Sequence, residues 1–187
     1  MRTLIYDVAV TLDGRICHED GSWDGMVAEG EHVDEYLARL ETYTTVVMGR
    51  RTYEAGYAHG LEPGKRAYPH MDHHIFSTTL ELDPEGCEVE VVATDPVETV
   101  RRLKESDGGE IYLCGGGVLA GLLLAHRLID RWIVKLNPTV FGQGMTAFGP
   151  EAPAVSWRLT RSKAYGSGVV LLEYDRPDFG TAAGGGP

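Results

Sequence analysis

Cysteine is scarce. Cys17, Cys87 and Cys114 are scattered along 187 residues and odd in number, so neither a disulfide framework nor a metal-ligand spacing follows, and reduced thiols are expected. Cations are also short: 17 Lys and Arg stand against 28 Asp and Glu, a formal net charge of −11. A general nucleic-acid grip needs clustered Lys and Arg, and an anionic membrane surface attracts the same residues. Neither partner is expected, whereas a small anionic ligand held by a few local arginines is compatible with this balance. Long apolar runs are missing too. The longest, 118–125, is too short to span a bilayer. Met1-Arg2 leads straight into a strand pattern, so no secretory leader is expected, and no internal repeat is visible. What remains is a cytoplasmic chain with 43 % apolar residues, enough for one domain with a sizeable core.

Glycine, by contrast, is plentiful, and the chain is organised around Ile111-Tyr112-Leu113-Cys114-Gly115-Gly116-Gly117-Val118-Leu119-Ala120-Gly121. Ile111, Tyr112 and Leu113 suit a buried strand, and the leucines up to Ala125 suit a helix. Three glycines between them permit close backbone approach or left-handed angles. At a helix start, free N–H groups and the positive dipole end also favour a phosphate. Two readings stand: a cofactor phosphate at this turn, or a tight turn with close helix–strand packing. Gly115, Gly117 and Ala120 loosely match the G-x-G-x-x-G/A dinucleotide pattern. The acidic residue expected about twenty positions later is replaced by Lys135, Asn137 and Pro138, so that fingerprint is weak.

Taken in order, residues 3–12 alternate as a strand. Leu4, Tyr6, Val8 and Val10 face one way; Ile5, Asp7, Ala9 and Thr11 face the other. Asp7 is an acid inside a buried pattern, either a hydrogen-bonded core aspartate or the floor of a substrate pocket. Residues 13–16 form a turn. Residues 17–26, rich in Gly, Asp and Ser, form a loop of the kind that covers a site, with Trp23 either capping a ligand or pinning the loop. A helix is predicted over 31–41 with Val33, Tyr36, Leu37 and Leu40 as its buried face and Asp34 at the edge of that stripe. A second strand, 44–48, runs into Gly49-Arg50-Arg51-Thr52, where N–H groups, a helix dipole and guanidinium ions suit one phosphate; a solvated basic turn is the alternative. His70, Asp72, His73 and His74 lack a second ligand cluster and are read as surface residues, with no metal expected. A strand over 74–79 ends in Ser77-Thr78-Thr79, hydroxyls that suit a ribose or phosphate or merely shape a turn. Further strands are predicted over 88–93 and 131–140. A helix runs from Asp95-Pro96 to about 106, and a hairpin spans 157–164 and 168–175. The sum is an α/β fold of three layers, α/β/α, with a mostly parallel central sheet and an antiparallel C-terminal edge. It is one domain over 1–175, with residues 176–187 a glycine-rich tail expected to be disordered.

Three pieces in this order, Val10-Thr11-Leu12-Asp13-Gly14-Arg15-Ile16, Val47-Met48-Gly49-Arg50-Arg51-Thr52-Tyr53-Glu54 and Gly115-Gly116-Gly117 with its helix, resemble the dihydrofolate reductase-like fold. Leu128-Ile129-Asp130-Arg131 through Pro138-Thr139-Val140-Phe141-Gly142 is more similar to the reductase domain of the riboflavin-biosynthesis deaminase–reductase. The zinc signature of the deaminase half is not in this chain. The resemblance implies an NADPH-dependent reductase of a small heterocyclic or sugar-imine substrate such as 5-amino-6-(5-phosphoribosylamino)uracil. A pterin-type reductase and a nucleotide-binding module without turnover are the alternatives. It implies that Gly49, Arg50, Arg51 and Thr52 hold the cofactor phosphates, that Ser77 and Thr78 lie at the adenosine end, and that Gly115, Gly116 and Gly117 line the pyrophosphate and nicotinamide side, with Cys114, Val118 and Leu119 beside them. Ala9, Gly14, Arg15 and Ile16 border the nicotinamide. Asp7, Trp23 and Asn137 are the substrate-side candidates, with Asp7 or Asp34 as the acid. Dihydrofolate reductases carry a carboxylate on the first helix; the matching position here is Val33, with Asp34 beside it, which argues against dihydrofolate. A homodimer is common among such proteins and is expected here.

Overall fold

The computed structural model describes residues 1–150 and 152–177. Its strands and helices alternate because hydrophobic period switches between two and about four along the chain. The elements are β1 (Leu4–Thr11), β2 (Arg15–Cys17), α1 (Glu31–Leu40), β3 (Tyr43–Gly49), α2 (Arg50–Ala55) with a 3-10 turn behind it, β4 (Asp72–Phe76), β5 (Glu90–Val92) and α3 (Pro96–Glu105). Then come β6 (Glu110–Leu113), α4 (Gly117–Ala125), β7 (Arg131–Asn137), β8 (Met145–Thr146), β9 (Arg158–Ala164) and β10 (Val170–Asp175).

Eight strands form one sheet in the order β5-β4-β3-β6-β1-β7-β10-β9. The pairs from β5 to β7 are parallel, while β10 runs antiparallel to β7 and to β9. The C-terminal hairpin is therefore the antiparallel edge the pattern anticipates. β2 and β8 form a separate two-stranded ribbon; two residues of β8 are too short a run to carry a periodic signal, and no sequence reading foresaw it.

The core is double, as a sheet covered on both faces requires. Leu4, Tyr6, Val8 and Val10 of β1 pack with Val97 and Val100 of α3 and with Leu119, Ala120, Leu123 and Leu124 of α4. On the other face Ile5, Val46, Met48, Ile75 and Tyr112 pack with Leu40 of α1 and Tyr53 of α2. α3 starts as its sequence dictates: the Asp95 carboxylate accepts from Val97 N at 2.8 Å, with Pro96 in the first turn.

Two expectations are corrected. The buried face of α1 is set by His32 and Leu40, while Leu37 is 53 % exposed. Asp34 is exposed rather than at the edge of the buried stripe. His32 reaches the carbonyl of Val27 at 3.1 Å, so its polar side chain is satisfied where it is buried. Nor is His73 a surface residue. It is 2 % exposed and stacks on Tyr68; Tyr68 N donates to its Nε2 at 3.3 Å and its Nδ1 faces the carbonyl of Met71 at 3.0 Å. Burial drops its pKa to about 4. From residue 178 the predicted tail lies outside the described residues.

Candidate functional site

Because β3, β6, β1 and β7 are adjacent and parallel, their C-terminal ends come out along one edge of the sheet, where ligands of open α/β sheets bind. A cleft of about 1860 Å³ opens there. The sequence candidates Asp7, Ala9, Arg15, Ile16 and Trp23 border it, as do Gly49 to Thr52, Cys114 to Gly116, Val118, Leu119 and Asn137. Gly14, Asp34, Ser77, Thr78 and Gly117 do not line it.

Two backbone turns face each other at one end. Gly49 leads into α2 and Gly115-Gly116 leads into α4. Gly115 and Gly116 have φ of 57° and 79°, left-handed angles that cost a side-chain-bearing residue about 1 kcal/mol or more. A Cβ on Gly115 would lie 3.2 Å from Thr52 Cγ2, so the two turns touch through Thr52. A Cβ on Gly49 would meet nothing within 4 Å: the space above that turn is open. Arg50 and Arg51 are exposed at the same turn, Arg50 lying 3.6 Å from Glu54. Free N–H groups, open space and two guanidinium ions at one place suit a phosphate group.

Gly117 serves packing instead. Its Cβ would come 2.1 Å from the carbonyl of Thr146 and 3.1 Å from Gly149 N, so the β2–β8 ribbon lies directly on the start of α4. Of the two readings of the glycine turn, close packing holds at Gly117. Ser77 follows its turn-shaping alternative: its Oγ accepts from Thr79 N at 3.1 Å and Leu80 N at 2.9 Å. Phe76, just before it, is the residue of that strand end that borders the cleft.

The other end of the cleft is built from side chains. Asp7 is fully covered and held by Arg39 Nε at 2.9 Å, Lys135 Nζ at 3.1 Å and the Tyr43 hydroxyl at 3.2 Å. It is the hydrogen-bonded core aspartate of the first reading, set just under the cleft floor. Asn137 is also structural: it accepts from Val27 N at 2.9 Å and donates to the carbonyl of Lys135 at 3.0 Å, fastening the 17–30 loop to β7. Trp23 stacks on His59 at 4.9 Å, bridging that loop to the segment after α2 across the cleft mouth. Val33, at the position of the dihydrofolate reductase carboxylate, lines the cleft with no acid beside it, Asp34 being turned outward.

Sequence reasoning missed Lys135 and the tyrosines. Lys135 is a buried cation in the alternating strand β7, and the logic that flagged Asp7 would have found it. Tyr36 and Tyr112 share a hydroxyl contact of 2.9 Å, and Tyr68 lies 3.6 Å from Cys114 Sγ. Burial raises the pKa of Tyr112 and of Cys114, so both are neutral near pH 7.

The model of the RibD C-terminal domain matches residues 2–171. The chain belongs to the RibD C-terminal domain family. A relative within reach of sequence comparison is the uncharacterized protein YwjB of Bacillus subtilis (strain 168), 32 % identical over 172 residues, 91 % of this chain and 95 % of that protein. Among solved structures, the deaminase/5-amino-6-(5-phosphoribosylamino)uracil reductase of Thermotoga maritima superposes with a TM-score of 0.68 at 18 % identity, covering 94 % of this chain and 57 % of that one. Dihydrofolate reductase from Enterococcus faecalis, complexed with NADP(H), superposes with a TM-score of 0.67 at 19 % identity, covering 94 % and 97 %. This member of the RibD C-terminal domain family thus has the dihydrofolate reductase-like fold. None of its described helices is long and apolar enough to cross a membrane.

Proposed function

We propose that this chain is an NADPH-dependent reductase that transfers a hydride to a small heterocyclic or sugar-imine substrate, in the manner of 5-amino-6-(5-phosphoribosylamino)uracil reductase. The observation that carries the reading is the meeting of two glycine turns at Thr52, open towards one cleft and flanked by two exposed arginines. The residues fit a dinucleotide. Gly49, Arg50, Arg51 and Thr52 would hold phosphate, Gly115 and Gly116 would let the backbone approach the pyrophosphate, and Ala9 and Ile16 would border the nicotinamide. The cofactor, when bound, supplies a hydride. The chain's own part is positioning: the loop fastened by Asn137 and the Trp23–His59 stack would cover the substrate end. Val33 in place of a carboxylate disfavours a pterin. We further place the protein in the cytoplasm as a homodimer.

Titration of the purified chain with NADPH and NADH, followed by tryptophan fluorescence, tests this first. Saturable NADPH binding with much weaker NADH binding is expected. Arg50→Ala and Arg51→Ala are each expected to weaken NADPH by about tenfold or more, since a charge-assisted hydrogen bond contributes roughly 1.5–3 kcal/mol. Unchanged affinity in both removes the phosphate assignment. NADPH oxidation on adding 5-amino-6-(5-phosphoribosylamino)uracil separates a reductase from a binding module without turnover.

A further inference from the structure

The cleft floor holds an ammonium group that structural duty alone leaves unexplained. β1 and β7 are in register at Asp7↔Ile133 and Ala9↔Lys135, so Asp7 and Lys135 are diagonal neighbours on the α1 face of the sheet. Asp7, wholly covered, takes Arg39 Nε on Oδ2 and Lys135 Nζ on Oδ1, with Arg39 Nη2 also 3.5 Å from Oδ1. Two cations meet one carboxylate, and the cluster is left net positive. Lys135 is the one of these two cations that borders the cleft, its side chain 9 % exposed. Its Nζ lies 3.3 Å from the Tyr36 ring centroid, a cation–π contact that holds the ammonium in place. An ammonium has three N–H donors. One points to Asp7, and no further hydrogen bond of Lys135 Nζ occurs among the described residues, so donor capacity remains for a ligand in the cleft.

We propose that Lys135 is the proton donor of the reduction. It follows that the substrate is a planar heterocycle or imine whose hydride-accepting carbon is double-bonded or conjugated to a nitrogen or carbonyl oxygen seated at Lys135 Nζ. This rests on the reductase reading of the cleft. The bound reduced nicotinamide would supply the hydride of the new C–H bond. The π pair of the C=N or C=O moves onto the heteroatom, which takes a proton from the Lys135 ammonium. The neutral amine regains its proton from water. The charged and titratable groups around Lys135 are Asp7 on β1, Arg39 and Tyr36 on α1, Tyr43 on β3, Tyr112 on β6 and Cys114 just after it. Burial lowers the lysine pKa against the opposing pull of Asp7, which makes the ammonium a better acid near neutrality.

The test uses the full chain as wild type, Lys135→Met and Lys135→Arg. With NADPH and 5-amino-6-(5-phosphoribosylamino)uracil, Lys135→Met is expected to lower kcat by about 10²–10⁴-fold, the range of general acid catalysis, with NADPH affinity unchanged. Lys135→Arg keeps the positive charge but holds its proton too tightly to release it; KM is expected to stay near wild type while kcat falls as far as in Lys135→Met. Recovery of kcat in Lys135→Arg, or wild-type kcat in Lys135→Met, overturns the proposal while leaving the reductase reading intact. Absence of wild-type turnover with this acceptor counts against the substrate reading. Lys135 is then judged on the wild-type protein by pulse acetylation with acetic anhydride, read by mass spectrometry across pH. Modification that titrates below an ordinary lysine upholds the proposal. A Lys135 that stays unmodified, or titrates as an ordinary surface lysine, overturns it.

Discussion

Gly49 and Gly117 look alike in the sequence, each a glycine opening a helix after a strand, and their alanine variants separate a glycine kept for a ligand from one kept for packing. At Gly117 an added Cβ meets the carbonyl of Thr146 at 2.1 Å, backbone against backbone. That is more than 1 Å inside the shortest ordinary carbon contact of about 3.4 Å, so α4 or the β2–β8 ribbon must move. Overpacking of this kind costs about 1–3 kcal/mol, offset by the roughly 1 kcal/mol that alanine gains over glycine in a helix. Since the obstacle is a carbonyl that cannot rotate away, a net loss of about 2 kcal/mol is expected, a fall in Tm of roughly 4–8 °C for a chain of this size. At Gly49 the backbone has φ −83°, an angle alanine adopts freely, and no atom lies within 4 Å of the added methyl. Stability should stay within about 0.5 kcal/mol of wild type. The methyl does fill the space proposed for a phosphate, so NADPH affinity should fall about tenfold or more, by lost close approach of the backbone. Calorimetric unfolding and the NADPH titration, run on both variants, read the two effects. A stable Gly117→Ala would refute the packing argument. A Gly49→Ala that binds NADPH as wild type does would refute the phosphate site at that turn.

Other outcomes follow from single contacts. Asp7→Asn leaves Lys135 and Arg39 buried around a neutral group, and denaturant unfolding should show a loss of about 3–5 kcal/mol; a loss under about 1 kcal/mol would mean the cluster is wetter than its burial indicates. Trp23 lines the cleft, whereas Trp132 and Trp157 pack against the other face of the sheet; Trp23→Ala should therefore abolish the fluorescence response to NADPH with little change in Tm, and a persisting response would place the signal elsewhere. His73 is held neutral in the fold at a pKa of about 4 against an ordinary 6.5. The unfolded chain binds the extra proton first, so stability is full above about pH 6.5 and declines towards pH 4 by up to about 3 kcal/mol. Protonation would set an N–H at Nε2 against the Tyr68 N–H it now accepts from. Urea unfolding of wild type and His73→Phe at pH 7 and pH 4.5 checks this, the variant losing most of the pH dependence; equal slopes would exonerate His73.

Legibility differed by the kind of signal. The strand alternation of β1, the Asp95-Pro96 cap of α3 and the strand–glycine–helix passage at 111–125 are local patterns, and each stands in the structure within a residue or two. The face of α1 was misread because Leu37 fits the helical period and His32 does not announce that Val27, five residues earlier, will satisfy it. Ser77 and Thr78 were singled out for their hydroxyls, but the demand of two backbone N–H groups in the same turn came first. Lys135 escaped because its partners, Asp7 and Tyr36, lie about a hundred or more residues away; the β1–β7 register brings Asp7 to it, and the packing of α1 on the sheet brings Tyr36.

The cleft is divided along the same line. The end proposed for the cofactor is made of backbone: left-handed glycines, a touching threonine and open space, features that depend on the turns between parallel strands. Its substrate end is made of side chains that converge from β1, α1, β6 and β7, and nothing in the sheet requires Asp7 or Lys135 in particular. Exchanging those charges would leave the strands paired and the glycine turns untouched while changing which atom of a substrate finds a proton. A chain of this build can therefore keep its cofactor and change its substrate by altering a few residues of the floor. On that reasoning Lys135 and Asp7, rather than the glycines, are where this chain's own substrate is to be sought.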